Sequence, residues 1–153
     1  QPVDAMVLSS PALDAGLTAW QRMLLAILPH WVPHLTVSNG LDAALVSNDP
    51  DIVQAYLEDP LVHDRLSPLL GRFIAEGGPE VLAHAPQWRV PTLLMYAGMD
   101  GLVNPQGSRS FVQRAPVGMV QSRCLEASYH EIFNDLHRDE AVNGLINWLE
   151  QRF

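Results

Sequence analysis

The chain has 153 residues, of which 48% are hydrophobic and 17% are charged, a composition typical of globular proteins rather than disordered ones. Its 9 Lys and Arg residues against 17 Asp and Glu residues give a formal net charge of −8 at pH 7, and the basic residues form no cluster. A nucleic-acid-binding surface is therefore not expected, and a small neutral substrate fits better than a polyanion.

The cysteine content and the amino terminus limit the protein class further. The single cysteine, Cys124, excludes an intramolecular disulfide, and its apolar neighbours predict a buried side chain rather than a reactive thiol. No apolar run reaches membrane-spanning length. The chain begins without Met or a signal-peptide hydrophobic region. We therefore interpret it as a piece of a longer protein and expect a cytoplasmic location.

An apolar run near the amino terminus predicts a strand. Residues 3–9 carry few charges and end in Ser-Ser-Pro, which is typical of a short strand buried on both faces of a parallel sheet. The run contains no Lys, interior Pro or Gly of the kind that protects a sheet edge. If this strand lies at an open edge, we expect the chain to self-associate through it.

Helical patterns follow in residues 14–89, which we call the insertion. Residues 17–28 have apolar side chains at helical spacing and predict an amphipathic helix that ends before Pro29. Asn48-Asp49-Pro50 is typical of a helix start and predicts a helix over residues 51–58. Two further helices are predicted, one over residues 67–76 that stops at Gly77-Gly78 and one that begins at residues 79–84. The insertion is thus expected to be all-helical.

From residue 90 onward, predicted strands and helices alternate. Strands are expected over residues 92–97 and 119–126, and helices over residues 104–114 and 141–152. This alternation predicts an α/β fold with a parallel sheet. The expected organisation is a strand and its exit in residues 1–13, the helical insertion, and two strands with their helices in residues 90–153.

Asp100 is a candidate catalytic acid. It follows the predicted strand 92–97 in a turn that contains Gly98 and Gly101, beyond the carboxyl end of the strand, where open α/β sheets hold their sites. An Asp in a turn often caps the next helix, but Asn104 already occupies that position, which leaves Asp100 without a local role. The spacing alone leaves a catalytic acid and an ordinary turn residue both open. Asp135 and Asp139 are expected to matter far less.

His130 is the candidate general base of a Ser–His–Asp system. It follows the second of these strands through the small residues Ala127 and Ser128, whereas His137 lies in a polar run and is predicted to be solvated. His30 and His34 have the spacing of helical metal ligands. Pro33 lies between them, however, and no acidic ligand stands nearby, so no metal site and no cofactor are expected.

The nucleophilic serine is not found in this chain. A nucleophile elbow requires Gly-x-Ser-x-Gly between a strand and a helix, and the sequence contains no such pentad. Ser9 and Ser10 follow a strand, but their neighbours are too large and Pro11 prevents a continuous helix start. Ser108 and Ser110 fall within a predicted helix.

The order and spacing of these features resemble the carboxyl-terminal half of an α/β-hydrolase with a helical lid, most of all the monoacylglycerol lipase and lysophospholipase group of serine hydrolases. Residues 3–13 are similar to strand six and its exit, and residues 90–105 to strand seven with the acid turn. Residues 126–135, EASYHEIFND, resemble the histidine turn. The lid-like stretch at residues 48–66 contains Asp59-Pro60-Leu61-Val62, which narrows the resemblance to this group.

This resemblance implies roles for the candidate residues. Asp100 would be the triad acid and His130 the general base. The serine and the oxyanion-hole amides would lie upstream of Gln1, in an amino-terminal half of the same protein. The insertion would be the lid and contribute an apolar acyl site, although packing of the lid on the body would explain the same apolar stripe. The candidate acyl-site residues are Trp20, Met23, Leu24 and Ile27.

The expected function follows from the resemblance. The complete protein would hydrolyse a carboxylic ester of a lipid, such as a monoacylglycerol or a lysophospholipid-like molecule, and residues 1–153 alone would be inactive. A carboxylesterase or a C–C bond hydrolase of the same fold remains an alternative. So does a non-catalytic binding module, although the presence of both Asp100 and His130 favours an enzyme.

Overall fold

The computed structural model describes residues 3–153, so the first two residues of the predicted 1–13 segment lie outside it. Ten helices and strands, together with short 3₁₀ turns, make up the described chain. In chain order they are β1 (Met6–Ser9), α1 (Ala19–Trp31), β2 (Val37–Ser38), α2 (Pro50–Glu58), β3 (Arg65–Leu66), α3 (Pro68–His84), β4 (Thr92–Ala97), α4 (Gln106–Arg114), β5 (Val120–Leu125) and α5 (Arg138–Glu150).

The main sheet has the order β1-β4-β5, and both strand pairs are parallel. The predicted parallel α/β sheet is confirmed. β4 has the predicted bounds, β1 begins three residues later than predicted, and β5 is one residue shorter at each end. All six residues of β4 are buried, because this central strand has a neighbour on each side and helices on both faces.

Side chains of β4 alternate between two parts of the hydrophobic core. On one face Leu93 and Met95 pack in a cluster with Trp148 of α5. On the other face Leu94 and Tyr96 pack in a cluster with Phe111 of α4. The central strand is therefore held from both sides, and the turn that leaves its carboxyl end begins from a fixed position.

Helix α3 corrects one prediction. Residues 68–84 form one continuous helix, so the expected stop at Gly77-Gly78 is wrong. Gly78 instead permits a close contact, since a Cβ atom there would lie 2.4 Å from the carbonyl oxygen of Leu13. Gly77 has no atom within 4 Å of such a Cβ position. The close approach to Leu13 therefore accounts for glycine at position 78, whereas no packing contact requires it at position 77.

The insertion differs from its prediction in two further places, the end of α1 and a small ribbon of two strands. Helix α1 continues through Pro29 to Trp31, because a proline in the last turn removes only one backbone hydrogen bond from the helix. β2 and β3 form a small antiparallel ribbon in which Val37 pairs with Leu66. Two residues per strand are too few for an alternating pattern to indicate them.

The remaining helices lie close to their predicted bounds. Asp49 caps α2, whose start at Asn48-Asp49-Pro50 is confirmed. The Asn104 side chain accepts the N–H of Gln106 at 3.0 Å at the start of α4. Helix α5 begins three residues earlier than predicted and ends two residues earlier. Within residues 3–153, none of the helices has the length and apolar character needed to cross a bilayer.

Candidate active site

Two turns leave the same edge of the main sheet. Ala97, the last residue of β4, pairs with Leu125, the last residue of β5. The segments that follow, residues 98–105 (the acid turn) and residues 126–137 (the histidine turn), therefore begin side by side. A Cβ atom on Gly98 would lie 2.6 Å from Cα of Glu126, so the two turns approach this closely only with glycine at that position.

The carboxylate of Asp100 has two separate roles in the structure. Its Oδ1 accepts the backbone N–H groups of Leu102 at 2.9 Å and Val103 at 3.0 Å, which fixes the acid turn. Its Oδ2 lies 2.8 Å from Nδ1 of His130. The side chain is 1% exposed. The prediction that Asp100 has no local role is therefore wrong, since one oxygen organises its own turn and the other contacts His130.

The imidazole of His130 is oriented by this contact. An ionised carboxylate only accepts hydrogen bonds, so Nδ1–H of His130 donates to Asp100 and Nε2 of the neutral ring keeps its lone pair. The hydrogen bond to Asp100 raises the pKa of His130 above its ordinary value. Burial opposes this shift, and the charges of Asp100 and Glu131 reinforce it. Nε2 makes no hydrogen bond within residues 3–153, and the side chain is 28% exposed.

Residues 45–48 of the insertion, which we call the bridging segment, contact the acid turn through Leu45 and the histidine turn through all four residues. A Cβ atom on Gly101 of the acid turn would lie 2.7 Å from Cδ1 of Leu45. Val46 and Ser47 are almost fully buried, at 3% and 2% exposure. The bridging segment and the histidine turn are joined by hydrogen bonds from Glu131 N–H to the Val46 carbonyl (2.9 Å), from Ser47 Oγ to the Asn134 carbonyl (2.8 Å), from Asn48 Nδ2 to the Ala127 carbonyl (2.9 Å) and, at 3.4 Å, from His130 N–H to the Leu45 carbonyl.

Asp135 belongs to the histidine turn and is fully buried, with 0% exposure. Its Oδ2 accepts the backbone N–H of Tyr129 at 3.1 Å, and the backbone N–H and side-chain Nδ2–H of Asn48 at 3.0 and 3.1 Å. Its Oδ1 accepts the N–H of His137 at 3.4 Å. Burial alone raises the pKa of Asp135, but these hydrogen bonds outweigh it and the pKa lies below its ordinary value.

The serines of the chain differ in their surroundings. Ser10 directly follows β1 and has a left-handed backbone with φ +39°. Its side chain is 5% exposed, and its Oγ accepts the N–H of Ala97 at 3.4 Å. Ser9 is exposed, and Ser108 is buried within α4. No hydrogen bond joins any of these three residues to His130 in the described chain.

The candidate acyl-site residues lie on α1, which packs against α3. Trp20, Met23 and Ile27 are 62%, 44% and 49% exposed, and Leu24 is half-buried. The structure therefore places these four side chains together on one helix. A cavity of about 220 Å³ with a mixed lining reaches Leu102 of the acid turn; apolar side chains such as Leu41, Leu57 and Val62 line it together with the polar Asp42, His63 and Asp64.

Cys124 differs from its prediction in degree. The side chain is half-buried rather than fully buried. Burial is the main reason that the thiol pKa is raised, and the neighbouring Glu126 adds to the shift. A thiol with a raised pKa is a weak nucleophile at neutral pH. Across residues 3–153, the structure contains no group of three or more His, Cys, Asp or Glu side chains placed to hold a metal ion.

Comparison with known proteins gives consistent similarities. The family described as serine aminopeptidase, S33 (Hydrolase_4) matches residues 1–137. A monoacylglycerol lipase of Mycolicibacterium smegmatis is 32% identical over 148 residues, which are 95% of this chain and 52% of the lipase. Phospholipase YtpA of Bacillus subtilis is 25% identical over 152 residues, 97% of this chain and 59% of the phospholipase.

A solved structure supports the same fold. The crystal structure of the Paleococcus ferrophilus monoacylglycerol lipase superimposes with a TM-score of 0.93 at 33% identity, over 99% of this chain and 60% of the lipase. The predicted resemblance to monoacylglycerol lipases and the α/β-hydrolase fold are thus confirmed. The chain spans 52–60% of the length of these three proteins.

Proposed function

Because this chain belongs to the serine aminopeptidase S33 family of α/β-hydrolases, we propose that it supplies the acid and the general base of a serine hydrolase that cleaves carboxylic esters of lipids. The 2.8 Å hydrogen bond between His130 Nδ1 and the buried Asp100 Oδ2 is the observation that carries this proposal. A buried carboxylate on one imidazole nitrogen, with the other nitrogen free to act as a base, is the arrangement that activates a serine.

The mechanism assigns one step to each side chain. His130 Nε2 removes the proton of the serine hydroxyl as the serine oxygen attacks the ester carbonyl. Asp100 holds the imidazole in the required tautomer and stabilises the imidazolium that forms. His130 then protonates the leaving alcohol, and the same base activates the water that hydrolyses the acyl-enzyme.

The serine itself is proposed to come from a segment outside residues 1–153. The absence of Gly-x-Ser-x-Gly from the sequence supports this, as does the greater length of the relatives. The oxyanion-hole amides would come from the same segment, since one of them belongs to the residue after the nucleophile. Residues 1–153 alone are then expected to be inactive, because a general base without a nucleophile has no proton to remove.

A lipid ester is the proposed substrate class. Two relatives, at 32% and 33% identity, are monoacylglycerol lipases, and another relative is a phospholipase, so a monoacylglycerol or a lysophospholipid-like ester is favoured. The exposed apolar side chains of α1 support an acyl chain rather than a polar substrate. We propose that Trp20, Met23, Leu24 and Ile27 contact that acyl chain.

The test compares the full-length protein with residues 1–153 on monooleoylglycerol and on p-nitrophenyl butyrate. We expect turnover by the full-length protein only, and its loss in His130→Ala. His137→Ala is the matched control, because His137 is exposed in the same turn and donates to Asp135 only through its backbone. Turnover by residues 1–153 that disappears in Ser9→Ala or Ser10→Ala would overturn the proposal that the nucleophile lies elsewhere.

A further inference from the structure

The buried carboxylate of Asp135 has no step in the proposed mechanism, yet it hydrogen-bonds to the residue that immediately precedes the proposed base. It is 0% exposed and accepts four hydrogen bonds, all from N–H donors. Burying an ionised carboxylate is unfavourable unless such donors surround it. The donors come from three places in the chain: Asn48 in the bridging segment, and Tyr129 and His137 in the histidine turn.

Two of these contacts act on the position of His130. Tyr129 immediately precedes His130, so the hydrogen bond from its N–H to Asp135 Oδ2 fixes the backbone at the point where the imidazole is attached. Asn48 is held to the same oxygen by both its backbone and its side chain. One carboxylate oxygen therefore ties the bridging segment to the residue next to the base.

The bridging segment extends this connection to the acid turn. Leu45 lies against Gly101, next to Asp100, while the Val46 carbonyl accepts the N–H of Glu131, next to His130. Displacing this segment would move both turns relative to each other. The 2.8 Å contact between Asp100 and His130 depends on that relative position.

We infer that Asp135 is a positioning residue for the proposed triad: its carboxylate fixes the histidine turn to the bridging segment and thereby holds His130 against Asp100. This inference rests on the proposed function, and it gives Asp135 a positioning role while the expected effect of its replacement stays smaller than that of Asp100. Misplacing a catalytic group by about 1 Å costs about 100-fold in rate, so the effect is expected in kcat rather than in substrate binding.

The test uses the full-length protein and graded substitutions of Asp135. We expect Asp135→Ala to lower kcat about 10- to 100-fold with KM changed less than about threefold. Asp135→Asn should lose less, because its amide oxygen can accept the three hydrogen bonds made by Oδ2 while its NH₂ faces the longer contact to His137. Asp139→Asn is the matched control and should keep kcat, since Asp139 is exposed in the first turn of α5.

A pH profile separates positioning from simple destabilisation. If the contact between His130 and Asp100 loosens, the raised pKa of His130 falls, so the acidic limb of kcat/KM should move to lower pH in Asp135→Ala. A variant that only unfolds more would lose activity in proportion to its folded fraction, with that limb unmoved, and would overturn the inference. Should Asp135→Ala fail to fold, the variant Asn48→Ala is used instead, because Asn48 is only half-buried. It removes the side-chain hydrogen bonds to the Ala127 carbonyl and to Asp135, and it should move the same acidic limb.

The inference and the proposed function fail in different ways. Loss of turnover in His130→Ala together with a folded Asp135→Ala at wild-type kcat would remove Asp135 from the site and leave the proposed function intact. Full turnover in His130→Ala would instead overturn the proposed function, whatever Asp135→Ala does.

Discussion

The two sequence-continuous regions of the molecule, the insertion and residues 90–153, divide the properties of the site between them. In residues 90–153 the central strand β4 is completely buried. The turn after β4 holds Asp100, and the turn after its neighbour β5 holds His130. The insertion instead exposes large apolar side chains, among them Trp20 and Phe73 at 62% and 72% exposure. The difference indicates that rate should respond to residues 90–153 and to the bridging segment that holds their turns, and substrate affinity to the rest of the insertion.

The largest expected effect is a loss of kcat from a substitution in residues 90–153. Asp100→Asn in the full-length protein should lower kcat roughly 10⁴-fold, as in the serine-protease case, because the amide no longer holds the required tautomer of His130. Steady-state kinetics on monooleoylglycerol measures it, with Asp139→Asn as the exposed control. A kcat for Asp100→Asn within about threefold of wild type would contradict the assignment of the acid.

The second effect concerns β1, which pairs only with β4 in the described chain. We expect residues 1–153, expressed alone, to self-associate through this strand, whose Val7 is 38% exposed and whose edge carries no protecting charge. Val7→Lys should shift sedimentation toward monomer, while Val117→Lys, at a fully exposed loop position, should not. Unsubstituted residues 1–153 that sediment as one monomeric species with cooperative unfolding would contradict this expectation.

The third effect compares two adjacent glycines of α3. Gly78→Ala should lower the free energy of unfolding by about 1–3 kcal/mol, because the added Cβ would overlap the Leu13 carbonyl and the helix must shift. Gly77→Ala, with open space around its Cβ, should raise it by about 0.5–1 kcal/mol through better helix propensity. Urea unfolding of both variants measures the contrast, and equal effects would show that the close approach of α3 to Leu13 is not required.

A smaller effect tests the insertion as the acyl-binding region. Trp20→Ala should raise KM for monooleoylglycerol about fivefold through loss of roughly 1 kcal/mol of apolar contact, with kcat unchanged. The matched control is p-nitrophenyl acetate, whose two-carbon acyl group has too little apolar surface for Trp20 to contribute through contact with it. An equal rise in KM for both esters would indicate that Trp20 acts through lid packing rather than through the acyl chain.

The smallest effect is a shift in pH dependence. Since the pKa of His130 is raised and the base must be neutral, kcat/KM should fall on acidification from a pH above the ordinary histidine value near 6.5. The contact with Asp100 has the opposite consequence for stability. Its contribution is full below the unfolded pKa and is lost as pH rises through the folded one. A limb at or below about 6.5 would contradict the raised pKa.

The sequence predicted the main sheet well because the signals there are local. A six-residue apolar run is short for a helix and is typical of a buried strand. Because parallel strands bring their carboxyl ends to one edge of the sheet, Asp100 and His130 were expected at neighbouring turns. The catalytic roles themselves stay predictions. The second role of Asp100, in its own turn, was missed because Asn104 already provided the helix cap.

The parts that escaped prediction depend on distant contacts. Asn48 and Asp135 are separated by 87 residues, and neither has a local pattern that would indicate the other. Asp135 stands in a mixed stretch with Glu131 and Asn134 before it and His137 after it, so nothing in the sequence distinguished its carboxylate from an exposed one. Gly78 likewise could not be distinguished from a helix stop, because its close neighbour, Leu13, lies far away in sequence.

The bridging segment has a consequence for protein engineering. Replacing the whole of residues 14–89 by the equivalent region of another hydrolase is an obvious route to a new acyl-chain preference. Such a chimera would also replace the bridging segment, whose four residues hydrogen-bond to the histidine turn and whose Leu45 packs on the acid turn. A graft that keeps residues 45–48 from the recipient, and exchanges the sequence on either side of them, would retain the contacts that hold the acid turn and the histidine turn in place.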